Sequence, residues 1–89
     1  MIETFLPILA MVVGSFMAAS GIPQIYRIIK RKSSEDVSIK TYLILLIGGI
    51  VWIIYGIYLS NYALYISNSI GVIVVSTTLI TIVKYRKPK

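Results

Sequence analysis

The sequence predicts an all-α membrane protein, a bundle of three transmembrane helices. Three observations carry this. The 89-residue chain is 57% hydrophobic and only 13% charged, against about 25% charged residues in an average soluble domain, and its mean hydropathy is +0.87. A chain this short cannot bury so much apolar surface in water, because small domains leave much of their surface exposed. The charges are also confined. All nine basic residues fall in two clusters, Arg27, Lys30, Arg31, Lys32 and Lys40, then Lys84, Arg86, Lys87 and Lys89, and basic clusters flanking apolar runs are membrane topology signals.

The first apolar run, 4–26, is free of charge. As a helix it measures about 35 Å, enough to cross the hydrocarbon core with some tilt. A signal peptide is the competing reading, but it requires a positive leading region, and here the only charged residue ahead of the run is Glu3. The segment Lys30 to Lys40 forms the first loop, where Ser33 or Ser34, and Ser38, are candidates to cap helix ends. Residues 41–83 then contain no charge. That is too long for one span and suits two. The break is expected at Leu59-Ser60-Asn61-Tyr62, where Ser and Asn supply turn chemistry. The second span is therefore expected over about 39–59 and the third over about 62–83, in one domain covering 1–89. Both basic clusters then lie on one side, which the positive-inside rule makes the cytoplasm. The N-terminus and the short second loop are expected outside.

Several function classes are excluded or disfavoured. The chain has no Cys and no His, which removes disulfides, thiol nucleophiles and the commonest general base and metal ligand. No nucleophile with a base and no metal site can be assembled, so neither an enzyme nor a cofactor or metal site is expected. The net charge of +6 follows topology rather than the aromatic-basic interleaving of nucleic-acid binders, so no nucleic-acid partner is expected. The interior of the spans has no ionisable group of the kind ion-coupled pumps use. What remains is passive movement of a neutral polar solute, or a non-transporting role as a small membrane scaffold or signalling subunit.

A few groups inside the spans invite a functional reading. Pro23-Gln24, two residues after Gly21, interrupts the inner part of the first span; it is either a hinge or a static kink. Trp52 lies about eight residues from the outer turn, roughly 12 Å deep, whereas membrane tryptophans usually sit at interfaces. Asn68 lies at a similar depth on the next span. An indole face and an amide at one level can together hold a polar ligand with apolar C–H faces; the plainer readings are a packing residue and an interhelical hydrogen bond. Small residues at helix-packing spacing, Gly14 and Ala18, Ser15 and Ala19, Ser67 and Gly71, allow close backbone approach either within one chain or between copies. Three helices can hardly enclose a path for a solute; two copies, with six helices in all, could.

These residues resemble a family. Pro23-Gln24, the basic loop ending in Val37-Ser38, Tyr42, the run Gly48-x-x-x-Trp52-x-x-Tyr55-Gly56 and then Asn68 together resemble the bacterial SemiSWEET sugar transporters of the wider PQ-loop group, over about 16–71. The resemblance implies a parallel homodimer in the cell (inner) membrane, the first and third helices adjacent, arranged about an axis along the membrane normal. It implies facilitated sugar movement by alternating access. Trp52 and Asn68 match the family's binding positions, Pro23 with Gln24 the hinge, and Tyr55 an outer-gate residue. Many relatives carry Arg and Asp near the outer end of the second span, where this chain has Leu59 and Asn61; closure by Tyr55, Tyr58 and Tyr62 is expected instead. The aromatic that often stands two residues before the Pro-Gln pair is Gly21 here. The implied partners are a second copy of the chain, a mono- or disaccharide and the lipid bilayer.

Overall fold

The computed structural model describes residues 1–86, so Lys87 and Lys89 of the second basic cluster lie outside the described residues. It is all-helical: α1 (Ile2–Ala19), α2 (Ile22–Arg31), α3 (Ile39–Tyr58) and α4 (Tyr62–Lys84). Among the described residues, three helical stretches are long and apolar enough to cross a membrane: Ile2–Arg31, formed by α1 and α2, then Ile39–Tyr58 and Tyr62–Lys84.

The first stretch is longer than the charge-free run. At 30 residues it measures about 45 Å, more than a hydrocarbon core of about 30 Å. Most of the excess over the run is 27–31, the second half of α2, which carries Arg27, Lys30 and Arg31. Cations there complement the negative end of the helix dipole and keep that segment in the polar zone. The stretch is interrupted at Ser20 and Gly21, directly ahead of Pro23 in the first turn of α2. Proline has no N–H and its ring crowds the carbonyl four residues back, so a helix restarts more readily with proline in its first turn than runs through it.

Local chemistry fixes the other ends. Ser38 caps α3, its hydroxyl accepting from the Thr41 N–H at 3.2 Å. Ser34 does not cap a helix. It is fully buried and donates to the Ile82 carbonyl at 2.7 Å, joining the first loop to the end of α4. At the far end, the Asn61 N–H donates to Gly56 O at 2.8 Å and the Ser60 N–H to Ile57 O at 3.0 Å. This is a Schellman closure of α3. Ser60, with φ 53°, holds the left-handed position usually given to glycine. Asn61 in turn caps α4, its side-chain oxygen accepting from the Leu64 N–H at 3.3 Å. One tight turn therefore ends α3 and starts α4.

α4 packs between the first span and α3, so the first and third membrane-crossing helices are neighbours. In lipid there is little hydrophobic drive between helices, and close packing of small residues takes its place. A Cβ on Gly14 would lie 3.0 Å from Ser67 Cβ, and one on Gly71 would lie 3.5 Å from Ala18 Cβ. The pairs Gly14/Ala18 and Ser67/Gly71 thus pack against each other within one chain. Ser15 and Ala19 instead line a shallow apolar groove beside Phe16 and Ile70. On the other flank of α4, Gly49 meets Val72 and Gly56 meets Leu64 and Tyr65.

The best-packed part of the molecule is its basic end. Ile28, Val37 and Ile82 form a buried cluster with Ile39, Tyr42 and Tyr85 against it. Arg86 donates to Glu35 O at 3.2 Å and to Val37 O. Arg31 pairs with both carboxylate oxygens of Asp36, at 3.0 and 2.8 Å. This fork-to-fork geometry is the strongest form of such a pair. The Arg31 hydrogen bond holds the Asp36 carboxyl below its usual value.

Candidate functional site

α3 and α4 run antiparallel from the Ser60 turn, so residues equally far from it face each other in level. Trp52 and Asn68 are such a pair, and both line one cavity of about 630 Å³. Its other walls include Gly14 and Ala18 of α1, Ile44 and Gly48 of α3, and Ser67 and Gly71 of α4. That volume lies within the range of small-molecule sites. At Gly48 the wall withholds a side chain from open space: a Cβ there would meet nothing within 4 Å.

Trp52 is half exposed. Its ring and that of Tyr55 pair edge to face, with centroids 5.8 Å apart and planes at 76°, a favourable aromatic arrangement. The Asn68 amide donates to Leu64 O of its own helix at 2.8 Å; it does not bridge to another helix. That bond uses one of its two donors and leaves its oxygen available as an acceptor. The cavity combines a flat apolar ring with a neutral donor and acceptor. Such a combination suits a polyhydroxylated ring, which has apolar C–H faces and a rim of hydroxyls.

The cavity is open to one side. The chain is only 14 Å across in its thinnest dimension, and a single helix with side chains is already about 10–12 Å thick. One chain therefore supplies a wall, not an enclosure.

The other expected site residues stand apart. Pro23 and Gln24 lie in the first turn of α2, where the Gln24 N–H donates to Gly21 O at 3.1 Å. Tyr58 is 81% exposed, and Tyr62 lines a second cavity at the far end with Pro7 and Asn61. Among the described residues the one aromatic pair is Trp52 with Tyr55; no ring contact joins Tyr55, Tyr58 and Tyr62 within a chain. Among the described residues no group of His, Cys, Asp or Glu is placed to hold a metal ion.

The sequence reading assigns no glycine to a cavity wall, although Gly14, Gly48, Gly49 and Gly71 all line it, and it does not reach the Ser34 and Arg86 contacts at the basic end. A glycine-glycine step one turn before a tryptophan was the available signal for the wall. Nothing in the sequence separates Ser34 from Ser33.

These features define a class: a small multi-pass membrane protein whose central cavity is built from uncharged groups. The chain belongs to the family of sugar efflux transporters for intercellular exchange, matched over residues 4–89. It is 30% identical over 76 residues to the sugar transporter SemiSWEET of Leptospira biflexa serovar Patoc, covering 84% of each chain. It is 27% identical over 63 residues to the sugar transporter SemiSWEET of Bradyrhizobium diazoefficiens, covering 71% of this chain and 73% of that one. Its fold matches the crystal structure of a bacterial homologue of SWEET transporters with a TM-score of 0.85 and 25% identity, covering 91% of this chain and 98% of that one. The family is one of sugar transporters, not of enzymes.

Proposed function

We propose that this protein is a facilitative sugar carrier, a uniporter that moves a mono- or disaccharide across the membrane by alternating access as a parallel homodimer. The observation that carries this is the shared cavity: Trp52 and Asn68 line one open recess of about 630 Å³ between the spans, and a second copy would close it. Two indoles would stack on the C–H faces of the sugar, and two amides would bond its hydroxyls. Binding is weak by design, since a carrier must also release. The spans hold no Asp, Glu, Lys, Arg or His in their interior, so transport is driven by the sugar gradient alone.

The break at Gly21 and the proline after it supply the hinge, with Pro23 and Gln24 at the start of the moving inner half. Tyr55, Tyr58 and Tyr62 close the outer side, in ring contacts made across the dimer. The basic residues put the C-terminus in the cytoplasm and the N-terminus outside, in the bacterial inner membrane. The other reading, a non-transporting scaffold or signalling subunit, shares the same helix packing. Uptake of radiolabelled sugars by liposomes containing only the purified protein separates the two. A carrier fills the vesicles to the external concentration; a scaffold gives the rate of empty liposomes with every sugar tried.

A further inference from the structure

The break in the first span and the middle of α4 meet at one contact. A Cβ on Gly21 would lie 3.1 Å from Val74 Cγ1, so α1 gives way to α2 where the first span is pressed against α4. Carbonyls on both sides of this contact carry a hydroxyl. In the first span, Ser20 Oγ donates to Met17 O at 2.5 Å. On α4, Thr77 donates to Ile73 O at 2.8 Å, Thr78 to Val74 O at 2.7 Å and Thr81 to Thr77 O at 2.8 Å. Thr78 is fully buried.

A hydroxyl on the carbonyl four residues back competes with the backbone N–H, and such bonds loosen and bend helices. In a bilayer the effect is sharper. Bending a helix pulls N–H groups away from carbonyls, and lipid offers those carbonyls no other partner. A hydroxyl already in place keeps the carbonyl bonded as the N–H withdraws.

We propose that α4 contains a second flexure, level with the break in the first span, and that Thr78 is the positioning residue that lets α4 bend in step with α2. The inference rests on the carrier reading for its purpose. α2 is not free to swing alone. Ile28 is fully buried in the cluster with Ile82 and Val37, and Ser34 and Arg86 tie the first loop to the end of α4. A rigid α4 would force a bending first span to break this packing; a compliant one carries the basic end along intact. Ser67, Asn68 and Ser69 make similar bonds nearer the outer end of α4, where Ser67 packs on Gly14 of α1, away from the break.

The test compares wild type, Thr78→Val and Thr78→Ser in the full chain. Sugar uptake is measured in liposomes, sugar affinity by the fluorescence of the single tryptophan, and exchange of the α4 amides by hydrogen–deuterium exchange. Valine keeps the shape and removes the hydroxyl. Thr78→Val should bind sugar with unchanged affinity, take it up about tenfold more slowly, and exchange the amides after Val74 about tenfold more slowly. Thr78→Ser should match wild type in all three. Wild-type uptake or unchanged exchange in Thr78→Val overturns the flexure, as does equal slowing by Thr78→Ser or a loss of affinity that accounts for the loss of uptake. If Thr78→Val does not fold, Thr78→Ala, which also removes the hydroxyl, carries the same expectations and the same contrary outcomes. A wild-type protein that takes up no sugar would overturn the carrier reading alone, and the exchange data would still decide the flexure.

Discussion

The hydroxyl of Ser34 donates to the carbonyl of Ile82 at 2.7 Å, across 48 positions of sequence and with both residues fully buried. This bond fastens the first loop to the last helix at the end of the molecule where packing is tightest. Ser34→Ala leaves the Ile82 carbonyl without that partner, at a cost of about 1–3 kcal/mol. Thermal unfolding in detergent should show a clearly lower midpoint than for the same change at half-buried Ser33, which makes no side-chain hydrogen bond among the described residues.

Two glycines of α3 should respond oppositely to alanine. At Gly56 a Cβ would lie 2.9 Å from Leu64 Cβ and 2.9 Å from the Tyr65 backbone nitrogen. Gly56→Ala must push α3 and α4 apart beside their turn, and overpacking of this kind costs about 1–3 kcal/mol. At Gly48 the space is open, and alanine gains up to about 1 kcal/mol of helix propensity. Melting curves should place Gly56→Ala below wild type and Gly48→Ala at or above it.

The acid response should localise to Asp36. Its carboxyl is held below the ordinary value of 3.8 by the hydrogen bond from Arg31. A carboxylate with a lowered folded-state pKa adds stability above the unfolded value, and the addition is lost as pH falls through the folded value. The pair is exposed, so the contribution is small. The gap in melting temperature between wild type and Asp36→Asn should therefore be present at about pH 6 and shrink below about pH 4. A gap that widened in acid would contradict the assignment.

Pro23→Ala restores the missing N–H and favours a continuous helix through the break. Sugar binding should persist while uptake slows about tenfold, because the cavity residues are untouched and only the bend becomes harder. Normal uptake would remove Pro23 from the hinge.

Much of the architecture was legible in the sequence, for identifiable reasons. Apolar runs and basic clusters are read by the membrane itself, so the helical class and the turn at Ser60-Asn61 follow from residue chemistry alone. Trp52 and Asn68 could be matched in level because an antiparallel pair counts outward from its turn. The extension of the first helical stretch to Arg31 was not legible, since Arg27 reads as the end of an apolar run while the helix continues into the polar zone. Nor was the role of Ser34: a serine in a basic loop looks like a cap, and only the approach of α4 makes it a buried clasp. The small-residue pairs left two partners open. The 3.0 Å approach of a Gly14 Cβ to Ser67 assigns Gly14/Ala18 and Ser67/Gly71 to packing within the chain.

In the proposed carrier, Trp52 and Asn68 form a sugar site completed by a second copy. Its most direct test is radiolabelled-sugar uptake into liposomes by wild type and Trp52→Ala, with the oligomeric state of both measured in the same preparation. The carrier account predicts dimers in both cases, uptake by wild type, and uptake at the level of empty liposomes for Trp52→Ala. Unchanged uptake by a dimeric Trp52→Ala protein would contradict it.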